Sequence, residues 1–396
     1  MRARSVSIVH DDPHAAGRDV ALELVEALGA KPDLVLLFMP TELYDHQAVI
    51  AALRAAIGPG ARIAGCTSMA EIGQEGALTG SVTAMGMCLD KVGVEVVAAE
   101  LGGDPGVMPS AEDNLAAGRS LGEQLRAFDP KLVMLFADGV CSMPPELVRG
   151  LQETAGSGFP VVGGCASERE HVLVGTAQFI DDRVLSRAVV AVAFRGPLRL
   201  QSAAGAGFQS LGRERTCTSV EGKYMLEIDG RPAVEMYQQL LEIESIDDPV
   251  LGVLHPLAMV SSSADGDSWN QHEQVIRVVQ KFDERGALLC GGDIHEGALV
   301  RITPATREDL LAGAVATCER ALARLPEPEA AFIFNCAARK MILGPRHYRA
   351  EIDAVFELLP ANLPRVGFYT YGELAPVGGR AMYHNATFTI VLMSRE

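Results

Sequence analysis

The sequence predicts an α/β fold: mixed, partly parallel sheets built from repeated strand-helix-strand-strand units and divided between two domains. Three observations lead there. An apolar run ending near a phenylalanine occurs three times, a helical pattern follows each run, and a glycine-bearing strand closing on small, hydroxylated and acidic residues follows each helix.

The runs are DLVLLFMP (33–40), KLVMLFAD (131–138) and AAFIFNCA (330–337). They are short and continuously apolar, as strands covered on both faces are. HQAVIAALRAAIG, PPELVRGLQETAG and YRAEIDAVFELLP place apolar residues three and four apart, giving one buried helical face. Pro144 and Pro145 suit a first turn, where a missing N–H is no loss. A connection holding a helix of about 12 residues can return the chain parallel to the strand it left.

The glycine-bearing strands are RIAGCTSMAEI (62–72), VVGGCASEREH (161–171) and RVGFYTYGEL (365–374). Superposing Gly65, Gly164 and Gly367 puts Glu71, Glu170 and Glu373 six residues further on in each copy. A last strand completes each unit: SVTAMGMCL (81–89), RAVVAVAFRG (187–196) and ATFTIVLMS (386–394). Residues 223–242 read as a strand, an Asp229-Gly230 turn and a helix starting near Pro232; 275–294 read as a hairpin around Glu284 to Gly286; a further helix spans about 306–325. The domain break is placed at 215/216, giving domains 1–215 and 216–396.

Composition narrows the function. With 396 residues and 48% apolar content, the chain can bury full-sized cores. A formal charge of −17 and the lack of a basic run exclude a phosphate-backbone binder, so no nucleic-acid partner is expected. There is no apolar run of about 18 residues and no signal-peptide pattern, so a cytoplasmic protein without a membrane partner is expected. The eight cysteines form no CxxC pair and read as buried thiols.

Strand exits in α/β sheets are where backbone groups come free and ligands approach. The exits here carry Thr67, Ser68 and Glu71; Ser167 and Glu168; Thr370, Tyr371 and Glu373. The preceding strands add Asp138, Asn335 and Arg339, and MYHNATF adds His384 and Asn385. These hydroxyls, carboxylates and one guanidinium are the groups that hold a small polar metabolite, and no metal or cofactor is required. The competing reading is structural: Ser and Thr satisfy turn amides, and glutamates face solvent. GxxxxGK[ST], GxGxxG after a strand, HExxH and GxSxG are all absent; His272-Glu273 and His295-Glu296 each lack the second histidine of a zinc motif. Cys66 and Cys165 follow strand glycines, so a thiol-dependent hydrolase stands as an alternative if a histidine lies near. No enzyme is expected.

The segments VVGGCASE, MLEIDGRPAVEMY, GFYTYGELAPVGG and MYHNATFTIVLM, in this order, resemble the FIST (F-box and intracellular signal transduction) sensory proteins, over about residues 32–394. The resemblance implies a FIST N-terminal domain followed by a FIST C-terminal domain, and a sensor of small molecules such as amino acids. For a stand-alone chain it implies signalling to a separate partner, a histidine kinase or a cyclic-di-GMP enzyme. Some members of similar length are haem-binding nitric-oxide sensors that regulate such a kinase. That alternative needs an axial ligand, and among nine histidines His255, in the apolar PVLGVLHPLAMV, is the favoured candidate. Exposed sheet edges make a homodimer a further expectation.

Overall fold

A computed structural model of the chain describes residues 1–104, 106–170, 173–248, 250–261 and 275–396. His171, His272 and Glu273 lie outside the described residues. The first unit comprises β1 (Arg2–Ile8), α1 (Pro13–Leu28), β2 (Leu34–Met39), α2 (His46–Ile57), β3 (Arg62–Thr67), the hairpin β4 (Glu71–Gly73) and β5 (Gly76–Leu78), and β6 (Val82–Cys88). The second repeats it: β7 (Gly93–Glu100), α3 (Ala111–Leu125), β8 (Leu132–Ala137), α4 (Pro144–Ala155), β9 (Val161–Cys165), the hairpin β10 (Ala177–Ile180) and β11 (Arg183–Ser186), and β12 (Ala188–Arg195).

The third unit opens with β13 (Leu198–Gly205) and is then interrupted. The insertion holds β14 (Leu211–Glu221), β15 (Tyr224–Ile228), β16 (Arg231–Pro232), α5 (Ala233–Leu241), α6 (Leu251–Leu254), β17 (Leu257–Ser261), β18 (Val275–Arg277), β19 (Val279–Phe282), β20 (Leu288–Cys290) and β21 (Leu299–Ile302). The unit resumes with α7 (Arg307–Arg324), β22 (Ala330–Cys336), α8 (Ala337–Leu343), α9 (Tyr348–Phe356), β23 (Arg365–Thr370), the hairpin β24 (Glu373–Val377) and β25 (Arg380–His384), and β26 (Phe388–Arg395). The inserted strands form their own sheet, β18-β17-β21-β14-β15-β20-β19, with β16 on β15. The 215/216 position falls inside β14.

Each unit is thus longer than the sequence pattern shows. Its opening strand escapes the apolar count, because strands such as LRLQSAAG are only half buried, and of the opening helices the sequence pattern shows only α7. Their helices carry local start signals nonetheless. Asp12 caps α1 ahead of Pro13, and reciprocal capping boxes open α3 (Ser110 with Asp113) and α7 (Thr306 with Asp309).

The repeated parallel pairs are β2 with β3, β8 with β9 and β22 with β23, as the helical crossovers predict. The hairpins are exchanged. Sheet orders are β1-β6-β2-β3-β10-β11, β7-β12-β8-β9-β24-β25 and β13-β26-β22-β23-β4-β5, so each unit's hairpin completes the sheet of another unit, in a closed cycle. The three sheets share one core. Leu34, Leu36 and Phe38 point into it from β2, Leu132, Met134 and Phe136 from β8, and Ala330, Phe332 and Phe334 from β22. The alternate residues, such as Val35, Leu37 and Met39, pack beneath each unit's own helices. At the centre Phe38 stacks on Phe368 at 4.6 Å and meets Phe136 edge-on at 5.5 Å.

Candidate functional site

The exits of β3, β9 and β23 meet, as the repeated segments require for a shared site. Ser167 N–H donates to the Thr67 carbonyl at 3.1 Å, Met69 N–H to Ser167 Oγ at 2.8 Å, and Ser167 Oγ to the Tyr369 carbonyl. Tyr369 N–H returns to the Ala70 carbonyl at 2.8 Å, and Cys165 N–H to the Gly372 carbonyl at 2.8 Å. The loops therefore bond to one another.

Their polar side chains are consumed by that closure. Glu71 is fully buried; one oxygen accepts from Ser68 Oγ at 2.6 Å, the other from Ser81 N–H and Oγ, both at 3.0 Å. Burial pushes its pKa up to about 7 against those donors. Glu373 accepts from Thr370 Oγ1 and from Thr387 N–H at 3.2 Å, and burial raises it to about 8. Thr67 Oγ1 accepts from Ala177 N–H at 3.1 Å.

The second copy departs from the predicted superposition. The strand glycine opposite Leu135 is Gly163, not Gly164, matching Gly65 opposite Leu37 and Gly367 opposite Ile333. Glu170 is 61% exposed and sits beside Arg169 at 3.6 Å, so it is no counterpart of Glu71 and Glu373. The register names another: Glu71 pairs with Phe368, Glu373 with Gly164 and Gln178 with Cys66, each partner being the residue after a strand glycine. Gln178 is fully buried and lies fifteen residues beyond Gly163, whereas the two glutamates lie six beyond their glycines. The longer loop hid it.

Glu168 instead gathers its own loop. Its carboxylate accepts from the N–H groups of Leu173 (2.6 Å), Val174 (2.7 Å) and Gly175 (2.8 Å) and from the Tyr371 hydroxyl (3.1 Å). Asp138 Oδ1 accepts from Val140 and Cys141 N–H, both at 2.9 Å, a turn-forming role.

Arg339 is fully buried and spends all five N–H groups inside the protein. Nε and Nη2 grip Glu351, and the remaining hydrogens go to the carbonyls of Ala206, Ala386 and Leu310. Asn335 Nδ2 donates to the same glutamate at 2.6 Å. Arg339 therefore has every donor engaged within the core, and Asn335 shares the Glu351 carboxylate with it. His384 contacts the Ala375 carbonyl through Nε2 at 3.1 Å, and burial depresses its pKa to about 4. Asn385 Nδ2 donates to the His384 carbonyl at 3.2 Å. Both stabilise the turn before β26.

The thiols after the strand glycines are inert in form. Cys66 and Cys165 are buried; Cys165 is pushed up to about 12 by burial and the nearby Glu373, and Cys66 is raised by burial. His255 ends α6, where its carbonyl accepts the Tyr237 hydroxyl at 2.6 Å and its buried Nδ1 has no partner among the described residues. Haem needs an open apolar slot before its axial ligand. His255 is not among the residues lining the two grooves described below.

Room for a ligand lies elsewhere. A groove of about 510 Å³ runs between α4, the β24–β25 hairpin and the inserted sheet. Pro145, Val148, Arg149, Gln152 and Glu153 form the α4 wall; Leu374, Ala381, Met382 and Tyr383 form the hairpin wall. The inserted sheet and its loops contribute Met259, Arg277, Asp293 and His295. Arg277 was legible in principle, as a cation set within the apolar run VIRVV. A second, more open groove of about 420 Å³ lies against α3 and includes Glu100, Asp113 and Arg183.

Comparison with known proteins matches the chain in two successive segments. The FIST N domain pattern matches residues 33–231 and the FIST C domain pattern residues 233–376. The chain is 30% identical over 244 residues to an uncharacterized protein of Mycobacterium bovis, covering 59% of this chain and 60% of that protein. It is 27% identical over 261 residues to an uncharacterized protein of Mycobacterium tuberculosis, covering 63% and 65%. These matches span less than two thirds of the relatives' own length. Among solved structures, a cyanuric acid hydrolase from A. caulinodans aligns over 100% of this chain and 99% of its own at a TM-score of 0.40 and 9% identity. A chorismatase aligns over 99% and 98% at 0.32 and 10% identity. Likenesses this distant carry no argument about activity. No helix among the described residues is long and apolar enough to cross a membrane. By its two matched domains, in order and over most of its length, this chain belongs to the FIST family.

Proposed function

We propose that the protein is a non-catalytic sensor that takes its small-molecule ligand in the groove between α4, the β24–β25 hairpin and the inserted sheet, and passes occupancy to a separate signalling partner. FIST domains are signal-transduction sensor domains that bind small ligands. The supporting observation is where the groove sits. Its walls come from two core clusters, that of the second unit and that of the inserted sheet, and the exchanged hairpin joins them, with Leu374 packed in the first and Val377 in the second.

A ligand touching both parts has the differential contacts that a two-state response needs: it stabilises the arrangement in which the walls are correctly spaced. The predicted strand-exit site lacks that property, because its polar groups are already bonded to one another. The partner expected from the resemblance is a histidine kinase or a cyclic-di-GMP enzyme.

Thermal unfolding of the full chain against a broad metabolite panel, amino acids included, tests this reading. A ligand should raise the melting temperature of the wild type but not of Ala381→Trp, which fills the groove from the half-buried Ala381 position in the hairpin wall. A panel of hits that the tryptophan leaves untouched places the site elsewhere and defeats the proposal.

A further inference from the structure

Two buried arginines in this protein solve the same problem differently. Arg339, fully buried, has the Glu351 carboxylate against it. Arg277, 3% exposed, has no carboxylate within ion-pair distance among the described residues, and the charge that favours it most is the more distant Asp293. Its Nε donates to the Asp293 carbonyl at 2.9 Å, and its Nη1 to the carbonyls of Ile276 (3.2 Å) and Tyr383 (2.9 Å). All three acceptors are neutral, and Nη2 has no acceptor among the described residues.

A guanidinium held out of water is costly unless an anion compensates it. Arg277 is also a wall of the groove. Its position is fixed from both sides: the Tyr383 carbonyl belongs to the hairpin, the Asp293 carbonyl to the inserted part, and a Cβ on Gly292 would press on the guanidinium. The rest of the groove sets the apolar Val148, Met259, Leu374 and Met382 beside the polar Arg149, Gln152 and His295; Arg149, unlike Arg277, has a carboxylate against it, that of Glu146 at 2.5 Å. The acidic groups there, Asp293 and Glu153, balance the two arginines, Arg149 and Arg277, so that a ligand carrying two negative charges is disfavoured.

We infer that the groove takes a monocarboxylate on an apolar body, its carboxylate paired with Arg277 and its body lying over Val148, Leu374 and Met382. This rests on the sensor reading above and names the chemistry of its ligand. The carboxylate supplies the counter-ion that Glu351 supplies to Arg339, and planar acceptors match the planar guanidinium edge. The ligand would thereby complete a bridge from hairpin to inserted sheet through one side chain.

The test is calorimetric titration and thermal shift of the full chain with benzoate, 4-phenylbutanoate and octanoate, each beside its neutral amide, and with inorganic phosphate. At least one acid should bind and raise the melting temperature, with its amide at least tenfold weaker and phosphate silent. Arg277→Gln should weaken that acid tenfold or more. Ala381→Trp, which leaves Arg277 in place, should abolish it, and this variant decides the matter if the glutamine protein does not fold. Amides binding as well as acids, phosphate binding in their place, or acids binding undiminished to Ala381→Trp would each overturn the inference. If the acids fail while another metabolite binds in a manner abolished by Ala381→Trp, the carboxylate inference falls and the sensor reading stands. If no metabolite or acid binds, both fall.

Discussion

Glu71 and Gln178 occupy equivalent places in two different seams of the molecule: each begins the pairing of an exchanged hairpin with the residue after a strand glycine, Phe368 for Glu71 and Cys66 for Gln178. Glu373 holds the third such place, opposite Gly164. Two seams of the cycle therefore carry an ionisable carboxyl buried from water, and the third carries its neutral isostere. The neutral copy shows that the position needs a side chain of this shape and does not need its charge.

That relationship predicts a pH dependence. A carboxyl whose folded pKa is raised holds its proton more tightly in the folded state. The stability it contributes is full below the unfolded value near 4.5 and is lost as pH rises through about 7 for Glu71 and about 8 for Glu373. Denaturant unfolding between pH 5 and 9 should show a decline that Glu71→Gln and Glu373→Gln each reduce, by on the order of 3 kcal/mol at pH 9. Gln178→Glu should steepen it. A flat wild-type profile would contradict the prediction.

Arg339→Ala should destabilise the protein by about 3–5 kcal/mol in urea unfolding, because it leaves Glu351 buried without its cation. Arg339→Met with Glu351→Leu should recover much of that loss, since the pair is then replaced rather than broken. A substitution of Arg339 that altered ligand affinity at unchanged stability would restore it to the site.

Gly65→Ala should cost about 3 kcal/mol or prevent folding, because the added Cβ would overlap the Leu37 carbonyl oxygen of the neighbouring parallel strand. Gly60→Ala, where a Cβ meets nothing within 4 Å, should change stability by no more than about 0.5 kcal/mol.

The eight cysteines are free and buried, and burial raises Cys66, Cys165 and Cys336 in particular. A thiol-specific disulfide reagent should therefore label the native protein slowly and all eight sites promptly in denaturant. Fast labelling of Cys66 or Cys165 in the native state would revive a thiol-based catalytic role.

What is local in this protein follows from the order of its residues. The apolar runs ending at Phe38, Phe136 and Phe334, the helices after them, the parallel return strands and the hairpin near residue 285 all follow from periodicities of two and 3.6 within single segments. Even the meeting of the three strand exits was legible, because repeated segments folding alike bring like ends together. Tertiary structure alone decided what those ends do. Hairpin exchange turned Glu71 and Glu373 inward, an insertion placed Gln178 rather than Glu170 in the third seam, and long-range neighbours gave Arg339 a carboxylate while leaving Arg277 with carbonyls. The physical reason is that a polar group's role depends on its solvation and its partners, and both are set by residues far away in the chain.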